Sequence, residues 1–302
     1  MFIRKKKTVI VADKNGQLGN QLFLFAHFIS NAIEQGYNLY FPAFNELSVY
    51  FEDASKNKYG DYPVNSRVSR FNFVNKIFLF GIRYVIALMV RTMPVTKLYR
   101  IIRLYFRNDL HDEQHDFYNI EKESEFLSPK RFLILQGWSF RAPDAVIRQR
   151  DNVRPLFHIK SYWRERVDSL IASCRRECDV LIGVHARRGD YKTFMKGIYY
   201  YDDAAYGEYL KQISLLFPAK KIMFLICSNE DVSIQAPEGC LINFPHGHFI
   251  EDLYSLAACD YIIGPPSTFS QWASFYGNTP LKILMKKDSP IISVDEFKIA
   301  DL

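Results

Sequence analysis

From residue 161 onward, short apolar runs alternate with amphipathic segments, and that alternation leaves few folds open. A helix over 161–177 precedes the run DVLIGVHA. A second helix over 204–216 leads to KIMFLICS, and CLINF is a short strand. The helix IEDLYSLAAC then feeds DYIIG, STFSQWASFYG opens another helix, and KILM is a last strand. Strands that alternate with helices pair in parallel, because each crossover lays a helix on a face of the sheet. VLIGVHA is apolar enough for a strand covered on both faces.

Residues 8–41 form one βαβ-like unit. TVIVA is a strand, KNGQLGNQ a glycine-bearing turn, LFLFAHFISNAIEQG a helix ended by Gly36, and YNLYF the next strand. The turn lacks the GxGxxG spacing of dinucleotide folds, since only two residues separate Gly16 from Gly19. Its helix N-terminus could still receive an anion. Two such units in 302 residues predict a doubly wound α/β protein of two Rossmann-like domains facing a cleft, over 1–155 and 156–302. No internal repeat or low-complexity tract interrupts them.

The first domain carries a segment of different composition. Residues 67–107 hold nine basic residues and no acidic one. Lys76, Arg83 and Arg91 fall within one stripe of a helix whose remaining face is apolar. Arg100, Arg103 and Arg107 form a second stripe after the break at Pro94. Two basic amphipathic helices could lie on an anionic bilayer, or they could pack on the domain with a solvated basic edge. Further on, His111 and His115 in HDEQHD are four apart but lack the glutamate of HExxH, so a solvated loop is the better reading.

Composition narrows the class. A net charge of +6 is a mild basic excess, compatible with phosphates, nucleic acid or an anionic membrane. No recognised nucleic-acid-binding fold accompanies it. The five cysteines at irregular spacing are not a disulfide framework, and Cys174 with Cys178 has no second pair to complete a zinc site. Reduced thiols in a cytoplasmic protein fit better. The N-terminal apolar run, Thr8 to Ala12, is too short for a secretory signal, and no stretch of 18 uncharged apolar residues exists.

Chemistry concentrates in GVHARRGDY, residues 183–191. His185 and Arg187 share one face by the period of two, and Arg188 points the other way. The arginines stand where a buried strand ends, which is where open α/β sheets bind ligands. Guanidinium groups there suit a diphosphate, gripped by charge-assisted hydrogen bonds. A structural pair bridging carboxylates is the alternative. PSTFSQW, residues 266–272, follows a strand and opens a helix. Its hydroxyls (Ser267, Thr268, Ser270) and free N–H groups make a second anion-binding end, or a simple N-cap. Asp252, early in its helix, could accept hydrogen bonds from a base such as guanine.

Taken together, NGQLGNQLFLFA, GVHARRGDY and EDLYSLAACDYIIGPPSTFSQWASFYGN resemble the inverting α-1,2-fucosyltransferase family, and LQGWSF is similar to another of its segments. The resemblance implies a GT-B-type fold of two Rossmann-like domains. It implies GDP-β-L-fucose as donor, bound mainly by the C-terminal domain, with no required metal. Arg187 would contact the β-phosphate, His185 and Asp252 would lie near the guanosine end, and Ser267, Thr268 and Phe269 would cradle the diphosphate, beside Arg188 and Ser270. In the GNQ turn, Gly16, Gly19, Asn20 and Gln21 are implicated, with Asn20 reaching the donor. Pro265 and Pro266 replace the small or polar residues usual before STFS, and no family motif covers 67–107.

The expected reaction is attack of an acceptor hydroxyl, the 2-hydroxyl of galactose in the family's common case, on the anomeric carbon. Arg187, supported by Arg188, stabilises the departing diphosphate. Asp190 is the candidate general base, as the acidic residue closest to the arginines. It could instead hold an arginine in place. The acceptor would be an oligosaccharide, lipid-linked in one version of the reading, and the protein cytoplasmic with peripheral contact to an anionic membrane and no nucleic-acid partner. Another nucleotide sugar is the nearer rival.

Overall fold

The apolar run near the start of the chain becomes the first strand of a parallel sheet. In the computed structural model, which describes residues 6–92, 99–104, 117–129, 131–285 and 290–302, the chain divides into two units, Met1–Lys160 and Ser161–Leu302. The first unit runs β1 (Thr8–Val11), α1 (Leu18–Gln35), β2 (Asn38–Tyr40), α2 (Glu52–Ser55), β3 (Val64–Asn65), α3 (Asn72–Thr92) and β4 (Tyr99–Leu104). It continues through β5 (Tyr118–Asn119), α4 (Ser124–Leu127), β6 (Phe132–Gly137), β7 (Phe140–Arg141), α5 (Pro143–Arg148) and α6 (Arg150–Val153). Its main sheet has the order β3-β2-β1-β6-β4, all parallel. Strands β5 and β7 pair separately.

Helix α1 is buried on almost every side from Leu18 to Ala32, as a helix with apolar residues all round must be. Phe25 of α1 meets Phe41 and Phe44 at 4.9 Å and Tyr59 at 5.4 Å between ring centroids. Burying a ring of this size contributes about 1.5–3 kcal/mol.

The expected pair of helices over 67–107 is only half correct. One helix forms, α3, but Tyr99–Leu104 is strand β4, in register with Phe132–Gly137. Arg100 and Arg103 are therefore strand residues of the main sheet rather than one stripe of a second amphipathic helix. The segment YRIIRL is rich in β-branched and aromatic residues, and an open sheet edge beside β6 outweighs its helix-like arginine spacing. Arg107 and the HDEQHD segment, with His111 and His115, lie outside the described residues.

The second unit runs α7 (Ser161–Arg175), β8 (Val180–Ala186), α8 (Asp203–Leu215), β9 (Ile222–Ser228), β10 (Leu241–Asn243), α9 (Phe249–Ala257), β11 (Tyr261–Gly264), α10 (Thr268–Gly277) and β12 (Leu281–Ile283). Its sheet is parallel throughout, in the order β10-β9-β8-β11-β12. Every residue of β8 is buried. The chain winds outward from β8 to β10, then returns to the other side of β8 as β11. The carboxyl ends of β8 and β11 thus flank a topological switch point, where α/β sheets bind ligands. The five cysteines, all in this unit, carry free thiols.

Candidate active site

At the end of β8 the two arginines part company, as the strand's alternation predicts. Arg188 turns inward. Its side chain is 4% exposed and pairs with Asp203 at the start of α8. It also lies over the rings of Tyr200 and Tyr206, 5.3 Å from each centroid. Its backbone N–H donates to Oδ1 of Asn229 at 2.9 Å. Burial and the Asp203 pair make Arg188 a holder of the loop through Nη2, while its buried Nη1 has no hydrogen-bond partner among the described residues.

Arg187 stays on the His185 side and remains partly accessible. Asp190 grips it with both oxygens: Nε donates to Oδ1 and Nη2 to Oδ2, each at 3.1 Å. Such a two-point pair fixes the plane of the guanidinium. Asp190 thereby holds the arginine in place, while its side chain stays 60% exposed and keeps lone pairs that these two bonds do not use. The Arg187 guanidinium lies 5.5 Å from the ring centroid of Tyr191. The Tyr191 hydroxyl donates to the carbonyl of Pro266, joining the arginine loop to the approach of α10.

His185 is buried, and its ring tilts against Phe269 with centroids 5.0 Å apart. Burial first, and then the neighbouring Arg187 charge, push its pKa down to about 3. It is a neutral imidazole at physiological pH, with no hydrogen-bond partner for Nδ1 among the described residues. Neutral hydrogen bonding, not ion pairing, is what it can offer a ligand. The strands approach closely here. A Cβ on Gly264 would lie 2.9 Å from Cβ and 3.0 Å from the carbonyl oxygen of His185, so position 264 admits glycine alone without displacing β8.

Helix α10 starts beside this point. Ser267 is its N-cap and accepts from the Phe269 N–H at 3.2 Å. Ser270 is fully buried and donates to the Ser267 carbonyl at 3.2 Å. The Ser270 hydroxyl is thus used inside the turn, whereas Ser267, Thr268 and Phe269 are half-buried. The helix start adds its positive dipole end to the charge of Arg187.

A small cavity opens by the ends of β9 and β10, lined by Ile226, Ser228, Glu230, Phe244, His246 and Asp252 among others. His246 stacks on Phe244 at 25° between planes. Burial, then the charge of Glu251, raise the Asp252 carboxyl to about 7. A carboxylate beside stacked flat rings suits a purine with an N–H edge.

The predicted residues of the other turn belong to the first unit. Gly16 has φ of 62°, and a Cβ there would strike the Asn20 side chain. Gly19 and Gln21 are buried in α1. Gln21 Nε2 donates to the Gly16 carbonyl at 3.2 Å, so Gln21 braces the turn that presents Asn20. Sequence reasoning missed Tyr191, Asp203, Asn229, Phe244 and His246. The last two follow β10 and could have been found by asking what sits at each strand's carboxyl end.

This chain matches the family described as Glycosyl transferase family 11 over residues 85–299. Among solved structures, a mutant of Arabidopsis thaliana FUT1 in complex with GDP is similar over 97% of this chain and 73% of its own, with 15% identity and a TM-score of 0.60. The fucosyltransferase NodZ from Bradyrhizobium is similar over 95% of this chain and 98% of its own, with 15% identity and a TM-score of 0.55. NodZ α-1,6-fucosyltransferase soaked with GDP-fucose is similar over 93% and 95%, with 18% identity and a TM-score of 0.54. At these identities the likeness is one of fold, and it bears out the α/β fold of GT-B type with parallel sheets. No curated protein matches the chain in sequence. The family match spans more than two thirds of the chain and takes in β8, β9, α9, β11 and α10, so the chain belongs to glycosyl transferase family 11.

Proposed function

We propose that this glycosyltransferase moves L-fucose from GDP-β-L-fucose to a glycan hydroxyl, with inversion and without a required metal. The observation that carries the reading is the Arg187 guanidinium, held flat by Asp190 at the switch point and linked through Tyr191 to the start of α10. In this reading the guanine takes the Asp252 cavity and the diphosphate meets Arg187 with Ser267, Thr268 and Phe269. The acceptor oxygen bonds to the anomeric carbon as the carbon–phosphate-oxygen bond breaks, and the electron pair leaves with GDP. Arg187 stabilises that charge. His185 adds a neutral contact. The acceptor's proton goes to Asp190 if it acts as base, and otherwise to a diphosphate oxygen or to water. The Asp190→Asn variant separates the roles: a positioning residue leaves the pH profile in place while kcat falls, whereas a base takes one limb of the profile with it.

Two relatives in fold were crystallised with GDP or soaked with GDP-fucose, which supports the choice of donor. The 2-hydroxyl of galactose as acceptor, a role in surface polysaccharide synthesis, and donor contact by Asn20 rest on the family resemblance. The test is incubation with GDP-fucose and a panel of galactosides, with and without EDTA, read by mass spectrometry. Thermal shifts with GDP-fucose, GDP-mannose and UDP-sugars accompany it, since a true donor stabilises the native state. Stronger stabilisation by a UDP-sugar would overturn the donor, and loss of transfer in EDTA would overturn the metal-free mechanism.

A further inference from the structure

Helix α3 wears its apolar residues on the wrong side for a helix in water. Phe73, Ile77, Phe80 and Tyr84 recur at intervals of four, three and four. They are 73%, 51%, 82% and 85% exposed. The helix is held from elsewhere on its circumference. Asn75 is buried, receives the N–H groups of Val68 and Ser69 and donates to the Ser69 carbonyl. Phe78 packs against Ala12 and Ile134. The outward stripe is thus a built face that the fold leaves uncovered, and a soluble helix would carry polar groups there.

Charge says what covers it. The sequence of α3 contains Lys76, Arg83 and Arg91 and no acidic residue, and Arg70 precedes it. A second copy laid on this stripe would bring cations together without a carboxylate from the helix to offset them. An anionic surface is attracted by the same charges. No helix among the described residues is long and apolar enough to cross a membrane, so α3 would lie in the interface plane. An apolar face with aromatic residues and a basic flank is the composition that does so.

We propose that α3 docks this protein on an anionic lipid surface, with Phe73, Ile77, Phe80 and Tyr84 inserted among the acyl chains and the exposed Lys76 at the headgroups. The proposal does not depend on which sugar is transferred. Its test is flotation of the purified chain with vesicles of phosphatidylglycerol and phosphatidylcholine in equal parts, against phosphatidylcholine alone. The chain should float with the anionic vesicles at low salt and be released as salt rises. The double substitution Ile77→Glu with Phe80→Glu should lower the bound fraction about tenfold or more, because two inserted side chains are lost. A second variant, Phe73→Ser with Tyr84→Ser, should act the same way, and melting curves establish that each variant folds. Failure of the wild-type chain to float at low salt would overturn the proposal. Equal flotation on the neutral vesicles would do so too, as would flotation unchanged in both variants. A concentration-dependent dimer in sedimentation, abolished by the same substitutions, would assign the face to a second copy instead.

Discussion

The two units end their sheets in different ways. Each has a five-stranded parallel sheet with a switch point, between β1 and β6 in one and between β8 and β11 in the other. At the first, the chain after β1 turns through Gly16 and places the side-chain amide of Asn20 there, with the buried Gln21 bracing the turn. At the second, the chain after β8 presents Arg187, with Asp190 and Tyr191 fixing its position. One end offers neutral hydrogen bonds and the other a fixed charge. In a reaction that develops negative charge on a diphosphate, the fixed charge should govern rate, and the Asn20 amide, if it meets the donor as the family resemblance implies, should govern affinity.

The sharpest way to break that comparison is within the second unit. Arg187→Ala should lower kcat about 10²–10³-fold, the usual cost of removing one donor to a developing anion, with little change in melting temperature. Arg188→Ala should do the reverse. It removes the charge-assisted bond to Asp203, which is 38% exposed and still accepts from the Ser233 N–H, and empties a buried site, at a cost of about 1.5–3 kcal/mol in stability, while the folded fraction keeps most of its rate. Steady-state kinetics beside thermal denaturation measure both. Equal kinetic loss in the two variants would mean that the arginines act as one unit.

Protonation gives the next largest effect. The Asp252 carboxyl is raised to about 7 by burial and by Glu251. If the ionised form accepts guanine N–H groups, GDP affinity should fall as pH drops below about 7, approaching tenfold per unit. Asp252→Asn should bind more weakly above that pH and lose the dependence, leaving only the titration of the phosphates. Stability runs the other way. A raised carboxyl contributes fully below its unfolded value and loses that contribution as pH rises through about 7. The ligand-free Asn variant should therefore gain melting temperature relative to wild type above pH 7. Calorimetry in buffers of different ionisation heat reads the linked protons directly.

How much of this was legible in the sequence follows from what each feature depends on. The buried strand ending in Arg187 was readable, because a continuous apolar run broken by charge is a local pattern. The same holds for the helix start at Ser267. The fate of Arg188 was not, since Asp203 and Tyr206 reach it only through the docking of α8 on β8. Asn229 and the Tyr191–Pro266 bond join strands distant in sequence, so no spacing records them. Strand β4 was misread because arginines three apart satisfy a helix period, while the partner that decides the matter, β6, lies about thirty residues on. The raised Asp252 carboxyl arises from burial, which composition does not report.

If Asn20 of the first unit meets the donor, as the family resemblance implies, Asn20→Ala should raise the donor KM by about tenfold at most, the worth of one neutral hydrogen bond, and leave kcat within a few-fold. A loss of kcat as large as that of Arg187→Ala would erase the distinction between the two sheet ends.

The smallest change tests how the charged end is held. Tyr191→Phe keeps the ring near Arg187 and removes only the hydroxyl that bonds the Pro266 carbonyl. One such bond contributes about 1 kcal/mol. Its loss should therefore slacken the approach to α10 without moving the guanidinium, which Asp190 still grips. Donor KM should rise a few-fold while kcat and the pH profile stay near wild type. Tyr191→Ala removes the ring as well and should lower kcat further, because nothing then separates Arg187 from the Ser267 turn. If the two variants behave alike, the ring contributes nothing beyond its hydroxyl, and Asp190 alone sets the position of the charge.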